Sequence, residues 1–201
     1  MGDLWASGDC AEWSGALAAY PGAVAALPVA GLGELDAWYR EVLPGILAAR
    51  DPAHLTLDEL ERITRWKMGR GVWRARNLAL VRGNDPDEVR RLSAEALALM
   101  PDPRRPVALL ARLAGVGPAT ASAVLAAARP DVYPFFDEVV AEQIPGLGPT
   151  AFTLPYYLRY ADRLRERAAA LGAPCPGEGW TAHLASQALW ANAEGGTRGG
   201  G

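Results

Sequence analysis

Apolar side chains recur at steps of three and four along this chain, and no segment of comparable length alternates apolar with polar residues. That spacing lines apolar groups along one face of a helix, whereas a half-buried strand needs a period of two. In LTLDELERITRW the recurring positions are Leu57, Leu60, Ile63 and Trp66; in VRRLSAEALALM they are Val89, Leu92, Ala96, Leu97 and Met100. The expectation is an all-α fold of about ten helices.

Cap and breaker residues set the predicted boundaries. Thr56 precedes a helix with Glu59 three residues on, the pattern of a capping box. Asp85-Pro86-Asp87-Glu88 opens another helix, and PDPRRP at 101–106 reads as a proline-bounded connector. LPYYLRYADRLRERAAALG reads as an arginine-rich helix and GWTAHLASQALWANA as the last one. AGVGPAT and PGLGPT resemble each other, but the second follows only a short helix and is rich in turn residues, so it reads as a surface loop rather than a repeat. The expected organisation is one helical domain over 1–194, with room for two subdomains and a cleft between them, and a flexible tail over 195–201.

Composition narrows the class. No apolar run has bilayer-spanning length, and no basic residue precedes Arg40, so neither a membrane span nor a secretory signal is expected. The reading is a soluble, cytoplasmic, bacterial-type protein. Cys10 and Cys175 are too few for a disulfide framework and read as reduced thiols, a single bridge being the alternative. The net charge is −3, yet residues 62–112 hold twelve Arg or Lys against five Asp or Glu, which points to a local basic face. Lys67 is the chain's one lysine.

In VALLARLAGVGPATASAVLAAA two apolar helical patterns meet at Gly115-Val116-Gly117. Glycine permits the tight turn and close approach, and the second helix begins with free N–H groups at its positive dipole end, where a phosphate fits. Asp137 follows Gly117 by twenty residues, after the aromatic run Tyr133-Pro134-Phe135-Phe136.

Residues 105–140, with the hairpin at 105–128, resemble the helix-hairpin-helix DNA glycosylase superfamily, the endonuclease III-like enzymes, in the stretch Gly115-Val116-Gly117-Pro118-Ala119-Thr120-Ala121 and the spaced Asp137. The resemblance implies a helical glycosylase-like fold acting in base excision repair, with DNA as partner. A monofunctional N-glycosylase would excise a damaged or mispaired base from a flipped nucleotide. In such enzymes the hairpin, here Gly115, Val116, Gly117, Ala119 and Thr120, grips the backbone, and the aspartate faces the sugar of the flipped base. Breaking an N-glycosidic bond builds positive charge on the sugar, which a fixed carboxylate stabilises while it orients or deprotonates water. Asp137 is the expected catalytic group; N-capping the helix from Glu138 is its ordinary use.

The hairpin lysine used as a Schiff-base nucleophile by bifunctional members falls at Ala119, so lyase activity is not expected. Lys67 would replace it only if folding brought it to the pocket; otherwise it reads as a surface or phosphate-contacting residue. The cysteines of an iron–sulfur cluster are absent, so no cofactor and no metal site are expected, with a monovalent cation on the hairpin carbonyls as the one ion the resemblance leaves open. A flipped base needs aromatic walls, for which Trp66, Trp73, Tyr133, Phe135 and Phe136 are nearest the motif, with core packing the competing role. Arg70, Arg74 and Arg76 read as phosphate contacts or as a solvated face. His54 and His183 lack metal-ligand spacing and read as surface or hydrogen-bonded histidines. Two other functions compete: a noncatalytic helix-hairpin-helix module binding nucleic acid or a protein partner, and an N-glycosidase acting on a free modified nucleoside or nucleotide.

Overall fold

The computed structural model describes residues 3–175 and 177–198, with side chains as far as Glu194. The architecture is all-helical, with no strand among the described residues. The elements are α1 (Cys10–Ala25), α2 (Leu32–Ala37), a π-helical turn (Trp38–Val42), α3 (Leu43–Ala49), α4 (Leu57–Gly69), α5 (Ala75–Arg82), α6 (Pro86–Ala98), α7 (Arg105–Leu110), α8 (Pro118–Ala128), α9 (Glu138–Ala141), α10 (Leu154–Gly172) and α11 (Ala182–Arg198). Because α2, the π turn and α3 follow without a break, they form one bent rod, which makes ten helices in the described chain. Pro44 lacks the N–H that would bond the carbonyl of Arg40, and the widened π turn lies just ahead of it.

Local signals act where the sequence places them. Thr56 accepts from the N–H of Glu59 while Glu59 returns to the N–H of Thr56, a reciprocal capping box. Asp85 accepts from the N–H groups of Asp87 and Glu88, with Pro86 in the first turn of α6. Thr153 caps α10 through the N–H of Tyr156. The surface loop expected at PGLGPT is a loop, with Gly146 and Gly148 at positive φ.

α8 lies at the centre. Its residues Ala119 to Ala127 are all buried, and α3, α4, α7 and α10 pack around it. A helix apolar on every side has no solvent face to present, and its alanines let neighbouring backbones approach closely. The buried apolar side chains form one contiguous cluster that extends from Leu4 to Ala191. α1 closes this core by packing along α11, which also lies against α10.

One expectation is corrected. Cys10, at the start of α1, is disulfide-bonded to Cys175, beyond the end of α10, with Cα atoms 5.4 Å apart. A sequence separation of 165 residues gives no hint of that proximity, which follows from α1 folding back against the carboxy-terminal helices. Residues 195–198 of the expected tail lie within α11. Residues 199–201 of that tail lie outside the described residues.

Candidate active site

Tyr133 to Phe136 join α8 to α9 with no helix or strand of their own, so their buried backbone groups need side-chain partners. The Tyr157 hydroxyl donates to the carbonyl of Pro134 at 3.3 Å, and the Tyr160 hydroxyl to that of Phe135 at 2.7 Å. The N–H of Phe135 donates to His183 Nδ1 at 3.3 Å, and that of Phe136 to Ser122 Oγ at 2.9 Å. Side chains from α8, α10 and α11 thereby hold the run that delivers Asp137.

Asp137 is the N-cap of α9, accepting the N–H of Val139 at 3.0 Å. Its other oxygen, Oδ2, lies 3.4 Å from Arg70 Nη2. The side chain is 11% exposed, and that open part faces a cavity of about 460 Å³. Burial pushes the carboxyl above its usual range, while Arg70 and the Val139 N–H pull in the opposite direction.

The cation beneath this carboxylate is enclosed. The Arg70 guanidinium lies 4.3 Å from the Trp190 ring centroid and 4.9 Å from that of Trp66, with Phe135 and Tyr20 also close. Its Nε and Nη1 are buried without a hydrogen-bond partner, so the aromatic faces and the Asp137 charge do the stabilising. A second buried acid, Asp36, is saturated by Tyr20, Trp66 and Arg40 at 2.7–2.8 Å. Asp36 therefore serves the core, whereas Asp137 keeps a face on the cavity.

The hairpin forms the opposite wall. Gly115 adopts φ +74°, and a Cβ there would come within 2.5 Å of the Asn77 carbonyl oxygen, so both conformation and space require glycine. Asn84 pins the turn by accepting the N–H of Ala114 at 2.8 Å and donating to its carbonyl at 2.9 Å. Gly117 caps α8 with no side chain and Pro118 follows it. The N–H groups of Ala119 and Thr120, which have no intrahelical acceptor at a helix start, sit at the cavity wall where an anion is favoured.

The cavity brings together Asp137, Gly117, Ala119, Thr120, Arg70, Arg74, Phe135 and Phe136 from the sequence-derived set. The rest fall elsewhere. Trp66 is fully buried, stacked on Tyr39 with centroids 3.7 Å apart and bonded to Asp36, so it is core rather than a base wall. Tyr133 is also fully buried, its hydroxyl donating to the Asp102 carbonyl at 2.7 Å. Trp73 is exposed and lines a separate hollow with Val29 and Arg62. Val116 packs into the core, and Arg76 is exposed away from the cavity lining. Arg70 cannot be a surface phosphate contact, because its guanidinium lies inside the aromatic cage. Periodicity marks which residues face inward and says nothing about which inward positions border a void.

Sequence reasoning left the places of Lys67 and His183 open and did not single out Glu138 or Phe152. Lys67 lines the cavity, half-buried, with its amine lowered by burial and by Arg74 against the opposing pull of Asp137. Glu138 and the exposed Phe152 complete the rim. His183 is buried and neutral, its pKa depressed to about 3 mainly by burial, and it supports the wall from behind as an acceptor. Only their position around Asp137 in three dimensions, not their spacing along the chain, identifies the lining residues as site residues. Among the described residues no three His, Cys, Asp or Glu side chains cluster as metal ligands, and no helix is long and apolar enough to cross a membrane. Comparisons with family models, with curated proteins and with solved structures find no match for this chain.

Proposed function

We propose that this protein is a monofunctional DNA N-glycosylase-like hydrolase, a divergent relative of the helix-hairpin-helix glycosylases, that excises a damaged or mispaired base from a flipped nucleotide. The observation carrying this reading is that Asp137 and the uncapped start of α8 face one cavity. Its volume of about 460 Å³ falls in the range of small-ligand sites. Phe135 and Phe136 offer the base an aromatic wall, and the Ala119 and Thr120 N–H groups hold the adjoining phosphate. As the glycosidic bond lengthens, Asp137 stabilises the positive sugar and directs water to C1′. Arg70 orients the carboxylate and helps keep it ionised against burial.

Base release from lesion-containing oligonucleotides tests the proposal. Asp137→Asn is expected to slow release by about 100-fold or more while DNA affinity is retained. Equal release by the two proteins would remove this carboxylate from the chemistry. The wild-type rate should rise with pH through an inflection above the ordinary carboxylate range, since the ionised form is the active one.

A further inference from the structure

The disulfide joins two elements that both reach Asp137. Cys10 opens α1, and Cys175 lies in the connector from α10 to α11, whose described residues form no helix. One turn along α1 from Cys10, Trp13 meets Trp180 of the same connector edge to face, with centroids 5.8 Å apart. Farther along, α1 supplies Tyr20 and α11 supplies Trp190, whose rings lie 5.5 Å apart and flank the Arg70 guanidinium at 5.3 and 4.3 Å. Arg70 in turn meets Asp137. α11 also anchors the chain on either side of that acid: His183 accepts the N–H of Phe135, and the Leu189 carbonyl accepts from Gln143 just beyond α9. Two of the four rings around Arg70, and two anchors of the segment that carries Asp137, therefore depend on how α1 and α11 are held together.

We propose that the Cys10–Cys175 disulfide is a redox switch on the Asp137 cavity: oxidised, it clamps α1 to the entry of α11 and keeps the Arg70–Asp137 pair seated; reduced, it releases the clamp and loosens the pair. The choice of this cavity as the regulated site rests on the hydrolytic reading. Cys10 is half-buried and Cys175 is buried, so a dithiol reductant meets Cys10 Sγ first. Its thiolate bonds to that sulfur, the disulfide breaks, and Cys175 leaves as a thiolate that takes a proton. The second thiolate of the reductant then attacks the reductant's own sulfur in the mixed disulfide and frees Cys10, which is protonated in turn. Two electrons and two protons pass to the protein, the reductant departs as its own disulfide, and a disulfide oxidant reverses the exchange. Openings below the global unfolding free energy follow the elements that lose a constraint, so the effect of reduction travels along α1 and α11 to residues 133–141.

Amide hydrogen exchange of the full chain, oxidised and after reduction by dithiothreitol, tests the coupling. Peptide mapping of the oxidised protein comes first, and free thiols at Cys10 and Cys175 there overturn the proposal. The expected result is exchange at 133–141 faster by about tenfold or more on reduction, a larger change than in α6 and α7, and restored on re-oxidation. Cys10→Ser should show the fast exchange with or without dithiothreitol. A uniform rise along the chain makes the bond a staple of global stability alone, and a rise confined to α1 and 173–181 leaves the cavity uncoupled. Either result, no change at all, or a response to dithiothreitol undiminished in Cys10→Ser overturns the proposal. Should Cys10→Ser not fold, the reversible change in the wild-type protein decides alone. No substrate enters this measurement, so its failure leaves the hydrolytic reading standing, and an absence of base release leaves the coupling standing.

Discussion

Gly115 shows how much can hang on one absent side chain. Its φ of +74° is costly for any L-residue, and a Cβ would meet the Asn77 carbonyl, Leu80 and Val81 at 2.5–3.0 Å. Gly115→Ala is therefore expected to lower stability by about 1–3 kcal/mol, read from chemical denaturation, because backbone strain and the clash act together. Gly117 differs: its φ is −102° and a Cβ would meet nothing, so there the absent side chain leaves the α8 N–H groups uncapped rather than relieving strain. A Gly117→Ala variant of nearly unchanged stability would separate the two glycines. Asp137 caps α9 with one oxygen while the other meets Arg70 beside the cavity.

At the scale of elements, the decisive piece has no regular structure. Residues 133–136 depend on hydroxyl and imidazole partners from distant helices, and His183 serves only while Nδ1 is an acceptor. Its pKa of about 3 lies below the ordinary 6.5, so the unfolded chain binds a proton here that the folded chain refuses. Stability from this residue is complete above about pH 6.5 and is lost as pH falls towards 3, by about 1.4 kcal/mol per pH unit. Asp137 has the opposite sign, because its raised pKa makes ionisation costly as pH rises above the ordinary carboxylate range. Denaturation between pH 4 and 7 checks the histidine: the slope should flatten in His183→Gln. The α7–α8 hairpin was readable from its glycines and flanking apolar patterns, whereas the Asn84 clamp was not, because it joins residues thirty apart through a loop.

For the whole molecule, the disulfide ties the first helix to the end of α10, closing nearly the entire chain into one loop. Chain-entropy reasoning assigns such a link about 2–4 kcal/mol, since it restricts the unfolded state most when the loop is long. Cys10→Ser, or reduction of the wild-type protein, is expected to lower the melting temperature while preserving helical circular dichroism, because α1 still packs along α11. An unchanged melting temperature on reduction would show that this packing alone secures the amino-terminal helix. The cavity is also a property of the whole: α4, α5, α8 and the entry to α9 each supply part of its wall.

Helical class, the principal caps and the glycine hairpin were determined by the sequence itself, because they depend on periodicity, hydrogen bonds within a few residues and local backbone freedom. Tertiary structure alone decided that Trp66 and Tyr133 belong to the core, that Lys67 faces the same cavity as Asp137, and that Arg70 lies caged beneath the acid. Those outcomes depend on which helix faces meet across many residues, and neither spacing nor residue type encodes the shape of the space left between them.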